Sequence, residues 1–115
     1  MLEDDSADLA GQVWNWPSKA EMVSILRNAG LTVYVGKYSI RVENCSYFVF
    51  QEYGESLGGP SIEADADTAE EMMRDAELVS KAFAAASIKH RFVVSDGSGK
   101  QVGYFHYDWP QGKEA

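Results

Sequence analysis

The sequence predicts an α+β fold, an antiparallel β-sheet of about five strands with two helices packed on one face, in the order α-β-β-β-(β)-α-β-β. Three observations carry this expectation. A capping box at Ser18 opens one amphipathic stripe, a second stripe opens at Asp67–Thr68, and a hairpin pattern with a glycine-bearing turn follows each. The 115 residues are 45 per cent hydrophobic, enough for one domain with its own core. Aromatic residues at 12 per cent exclude a wholly disordered chain despite the net charge of −8, and the single Cys45 excludes an internal disulfide framework.

Residues 1–12 are polar and lack periodicity, so they read as a mobile acidic tail; the domain is expected over 13–109 and a polar tail over 110–115. Ser18-Lys19-Ala20-Glu21 caps a first helix over 18–29, with Met22, Val23, Leu26 and Ala29 on its apolar stripe. Gly30 supplies the left-handed residue that ends it, and Leu31 the apolar contact after it. In the next hairpin, Gly36-Lys37 fits a two-residue turn that pairs Val35 with Tyr38, Val33 with Ile40 and Leu31 with Val42.

A third strand over 47–53 carries bulky groups on both sides, so either Tyr47/Val49 or Phe48/Phe50 could face the core. A glycine-rich loop over 54–60 follows, and residues 61–64 read as a short edge strand. The second helix opens at Asp67 or Thr68 and buries Met72, Ala76, Val79, Phe83 and Ala86. The last hairpin turns at Asp96-Gly97-Ser98-Gly99, pairing Val94 with Gln101, Phe92 with Gly103 and His90 with Phe105. That register puts Ile88, His90, Phe92, Phe105 and Tyr107 on one face, and Lys89, Arg91, Val93, Val102, Tyr104 and His106 on the other.

Over residues 18–109 this order of elements resembles the double-wound α+β domain of type III secretion chaperones, which are also small, acidic and dimeric; topology and charge carry the resemblance. A double-stranded-RNA-binding domain also begins helix, three strands, helix. Such a domain needs a basic cluster at the second helix, where this chain carries acids.

Charge is unevenly placed. Nine acids and one base lie between Glu52 and Glu77, four acids lie in residues 1–8, and the rest of the chain is mildly basic. An acidic surface repels phosphates and anionic headgroups, so neither nucleic acid nor membrane is an expected partner. No basic, apolar leader and no apolar run of about 20 residues is present, which reads as a cytoplasmic protein.

The residues that carry chemistry do not assemble into a catalytic pattern. Asp65 and Asp67 begin with the spacing of a calcium loop, but Glu70 stands where that loop needs glycine. His90 and His106 fall on opposite faces of one hairpin, and with Cys45 they lack zinc-site spacing. Cys45 has no neighbouring base, and the loop over 54–60 lacks the lysine of a phosphate loop. Neither a metal nor another cofactor is expected.

The function this implies is a small, acidic, non-enzymatic protein-binding module of adaptor, chaperone or immunity-inhibitor type, engaging a basic protein partner. Glu63, Asp65, Asp67, Glu70, Glu71 and Asp75 would form its acidic surface, and Arg91, Tyr104 and His106 an anchoring patch on the non-helix face. Two alternatives stand beside it. One is a small-molecule pocket between the second helix and the sheet, lined by Met72, Phe83, His90 and Tyr107. The other is a homodimer joined through the non-helix face of the sheet.

Overall fold

The computed structural model describes residues 6–53 and 59–109. Its elements are β1 (Ala7–Val13), α1 (Lys19–Asn28), β2 (Val33–Val35), β3 (Ser39–Val42), β4 (Phe48–Gln51), β5 (Ser61–Ala66), α2 (Ala69–Ala85), β6 (His90–Asp96) and β7 (Gln101–Tyr107). The strands form one antiparallel sheet in the order β2-β3-β4-β5-β1-β6-β7. The fold is α+β as expected, with seven strands rather than five. Parts of the two expected tails and of the glycine-rich loop, at 1–5, 110–115 and 54–58, lie outside the described residues.

The largest correction concerns residues 7–13. The expected mobile tail is here an interior strand, paired with β5 on one side and along its whole length with β6 on the other. Alternation drives it: Ala7, Leu9 and Val13 are buried, while Asp8, Ala10 and Gln12 are exposed. Gly11 keeps the inward pattern without a side chain, because a Cβ there would sit 2.7 Å from Ile62 Cδ1 and 3.1 Å from Phe92 Cδ1. Since β1 lies antiparallel to both neighbours, β5 and β6 run parallel to each other. They need the crossover that α2 supplies, so β5-α2-β6 is a split β-α-β unit with β1 in its gap. By the same topology β5 is interior and not the edge strand expected.

Local signals fix both helices. The Ser18 hydroxyl accepts from the Glu21 amide (3.1 Å) and the Glu21 carboxylate accepts from the Ser18 amide (2.9 Å), closing the box at the start of α1. At its end the Leu31 amide donates to the Leu26 carbonyl and the Gly30 amide to that of Arg27, with Gly30 at φ +88°. Thr68, not Asp67, caps α2 by accepting from the Glu71 amide (3.1 Å). Met72, Ala76, Val79 and Phe83 are buried as expected, whereas Ala86 is exposed beyond the last turn.

Each hairpin is paired two residues away from the expected register. In the first, Val33 meets Val42 and Val35 meets Ile40, so the turn residues are Lys37 and Tyr38. Leu31 is committed to the helix end and cannot join the strand. The Lys19 ammonium then donates to the carbonyls of Gly36 and Lys37, fixing that turn. In the second, Phe92 meets Phe105 and His90 meets Tyr107, with Val102 as the extra residue of a bulge opposite Val94 and Ser95. Asp96 sets this turn, its Oδ1 accepting from the Ser98 amide, the Ser98 hydroxyl and the Lys100 amide. A shift of two preserves the faces, so the inward and outward sets of the second hairpin stand as expected, while in the first Val35 and the turn residue Tyr38 are exposed.

Both helices cover one face of the sheet around a shared core. Phe48 and Phe50, rather than Tyr47 and Val49, point into it. With Phe83, Phe92 and His90 they form a ring cluster whose neighbouring centroids lie 4.8–5.9 Å apart. Trp16 meets Phe50 and Tyr53 edge-on, and the Tyr53 hydroxyl donates to the Pro17 carbonyl, anchoring the approach to α1. The opposite face of the sheet has no helix on it among the described residues.

Candidate functional site

Strand alternation and topology together gather acids at one end of the sheet. On β1, Asp8 points away from the core; on β5, so does Asp65, and the two stand directly opposite each other in the ladder. Asp67 follows at the end of β5, and Asp96 opens the β6–β7 turn beside them. These four aspartates, with Ser6, Ser95, Gly97 and Gly99, line an open cleft of about 540 Å³ with no basic residue among its described lining. The Ser98 hydroxyl, together with the Lys100 and Ser98 amides, holds the Asp96 carboxyl below its ordinary range. Glu70, exposed in the first turn of α2, continues the acidic surface past Asp67, and Glu71 beside it is half-buried.

Like charges directly opposite on neighbouring strands destabilise a sheet by up to about 1 kcal/mol. Asp8 and Asp65 are such a pair. A ligand group that is cationic and donates hydrogen bonds, such as a lysine or arginine side chain, would relieve this repulsion on entering the cleft.

The other acids of the expected surface are placed differently. Glu63 lies on the open face, accepting from the Tyr47 hydroxyl (3.1 Å) and the Gln51 amide (2.9 Å). Asp75 is fully buried, which removes it from any partner-facing set. One Asp75 oxygen accepts from the Ser46 amide (2.9 Å) and the other lies 3.6 Å from Arg74 Nε, so this carboxylate ties α2 to the turn between β3 and β4. Cys45 packs against the same place. Burial, with Asp75 beside it, pushes its thiol up to about 12, far from the range of a nucleophilic cysteine.

Arg91, Tyr104 and His106 do share the open face, but at the end of the sheet away from the cleft. The Arg91 guanidinium lies 5.1 Å from the Trp109 ring centre and its Nε donates to Gln12. Trp14 meets Trp109 edge-on at 5.8 Å, and the Tyr104 and His106 rings are 5.0 Å apart. The nine residues therefore divide into an acidic end, Glu63 at mid-sheet, one buried carboxylate and an aromatic corner. Asp8 and Asp96 are the two cleft residues that the sequence reading missed.

The expected space between α2 and the sheet is filled. Met72, Phe83 and His90 have no exposure, so no small-molecule pocket opens there. His90 instead joins a buried polar pair: a carbonyl can only accept, so its Nδ1–H donates to Ile88 O (2.8 Å) and its Nε2 accepts from the Ser80 hydroxyl (2.7 Å). This is the hydrogen-bond order of a serine activated by histidine, but a hydroxyl at 8 per cent exposure inside a packed core has no room for a substrate. Among the described residues, no three of His, Cys, Asp or Glu converge as a metal site, and no helix is long and apolar enough to cross a membrane. No family model, curated protein or solved structure matches the chain.

Proposed function

We propose that this chain is a small, acidic, non-enzymatic protein-binding module that engages a basic partner through the cleft formed by Asp8, Asp65, Asp67 and Asp96. One observation carries the reading: four aspartates, two of them directly opposed in the ladder, line an open cleft with no base among its described lining residues. A lysine or arginine side chain of a partner would neutralise that arrangement. Glu70 and Glu71 extend the field and speed the encounter. A cytoplasmic setting suits the single cysteine.

The test is affinity capture from host lysate, read by mass spectrometry, at low salt and at about 0.5 M salt, where the Debye length falls to a few ångströms. The wild-type chain should retain a stoichiometric basic protein that is lost at high salt. The combined variant Asp65→Lys, Asp67→Lys, Glu70→Lys should not retain it, while circular dichroism shows the fold intact. Capture indifferent to both salt and charge reversal refutes the acidic cleft as the binding site.

A further inference from the structure

The two edges of the sheet both expose large apolar side chains, Tyr34 and Val35 on β2 among them, but differ in length and in how they are blunted. At one edge β2 spans three residues, and the Lys19 ammonium occupies the carbonyls of Gly36 and Lys37 immediately beyond it. Short strands and lysines are the usual means of blunting an edge. The other edge, β7, spans seven residues with no Asp, Glu, Lys, Arg or Pro among them, and no described strand lies on its outer side. Val102 and Tyr104 on it are 38 and 41 per cent exposed. Its bulge sits at the turn end, and Gly103–Tyr107 pairs with β6 without a break.

We propose that β7 is a homodimerisation edge, pairing antiparallel with β7 of a second copy about a two-fold axis at Tyr104 to make one continuous fourteen-stranded sheet. Charge selects the occupant. A chain of net charge −8 repels its own copy through its acidic segments, yet β7 is a neutral band. Pairing centred on Tyr104 sets Lys100, just before the strand, opposite Asp108, just after it and already 3.8 Å from Lys89 of its own chain, and does so twice by symmetry. It also directs the end bearing Asp96 toward the second copy's end bearing Lys89 and Arg91. Parallel pairing would instead set Lys100 against Lys100 and Asp108 against Asp108.

The same register has steric sense. On the open face Tyr104 meets Tyr104, and Val102 meets His106. On the helix face Phe105 meets Gly103, where a Cβ would displace the Met73 thioether that packs against it. The edge is used here, not the open face of the sheet, and of the cleft lining only the β6–β7 turn, with Asp96, Gly97 and Gly99, adjoins the seam.

Sedimentation equilibrium of the full chain tests this. The wild type should be a dimer at about 100 μM, and Tyr104→Lys, which sets two lysines across the axis, should raise the dissociation constant about tenfold or more. Tyr34→Lys on the opposite edge should leave it unchanged. In a Cys45→Ser background, Tyr104→Cys should oxidise to a disulfide-linked dimer and Tyr34→Cys should not, since directly paired strand positions lie within disulfide reach. A monomeric wild type overturns the proposal, including one whose β7 is taken by a strand of another protein. So does a dimer broken by Tyr34→Lys but not by Tyr104→Lys, or one that fails to cross-link at position 104.

Discussion

Adding one methyl group at Gly11 measures how closely β1 is held. In Gly11→Ala the new Cβ would stand 2.7 Å from Ile62 Cδ1, 3.1 Å from Phe92 Cδ1 and 3.2 Å from Leu9 Cδ2. Overpacking of this kind costs about 1–3 kcal/mol. Against it stands the reduced freedom of the unfolded chain, which favours alanine by about 0.4–1 kcal/mol. Phe92 is fully buried and cannot withdraw, so the steric cost wins and a net loss of about 1–2 kcal/mol is expected. The worst contact involves the one carbon that Ile62→Val deletes. That change alone should cost about 0.5–1 kcal/mol, because Ile62 is only partly buried. The double variant should therefore be about 1 kcal/mol more stable than the sum of the singles requires. Urea unfolding monitored by tryptophan fluorescence gives all four corners of the cycle, and the melting temperature should follow at about 4 °C per kcal/mol. Additivity within about 0.3 kcal/mol, or a stabilised Gly11→Ala, would refute the argument that Gly11 is there to let β5 and β6 close on β1.

Two further outcomes follow from buried groups. Burial holds His90 below the ordinary imidazole range, with the His106 charge adding to this and the Ile88 hydrogen bond opposing it. The unfolded chain therefore binds a proton near pH 6.5 that the folded chain refuses. Stability is full above that pH and falls as pH drops below it. Urea midpoints across that range should show the loss in the wild type and much less of it in His90→Gln; a flat wild-type profile would contradict the burial argument. Cys45, with its thiol raised from 9.0 to about 12, should react with iodoacetamide at pH 8 about a thousandfold more slowly in the native chain than in urea. Comparable rates would show that the thiol is not desolvated.

The elements legible from sequence are those fixed by neighbours a few residues away. Ser18 and Glu21, Gly30 and Leu31, and the stripe from Met72 to Phe83 act within one or two helical turns, and all were readable. The registers were not, because alternation fixes a face but an even slip leaves every face unchanged. The choice was made by the Asp96 side chain and by Leu31 being claimed by the helix end. β1 was obscured by Gly11 at an inward position and Ala10 at an outward one, which blur a seven-residue pattern. Within the site, Asp65 and Asp67 were visible as acids, while Asp8 and Asp96 join them only through pairings that span most of the chain. Asp75 could have been placed correctly. It lies three residues after Met72 and four before Val79, so helical spacing already puts it on the buried stripe, where a carboxylate must find donors.

The position of β1 also sets an order of events during synthesis. It leaves the ribosome before every other strand described here, yet its partners on β5 and β6 lie about sixty and ninety residues further along. At about 5–20 residues per second, β1 waits on the order of ten seconds for β6. Meanwhile α1 and the β2–β5 meander can assemble locally, leaving β5 as a temporary open border. Insertion of β1 is thus a closing step that only a chain synthesised past β6 can complete. A nascent chain cut short before β6 keeps that border unsealed and presents a recognisable target for chaperones and proteases.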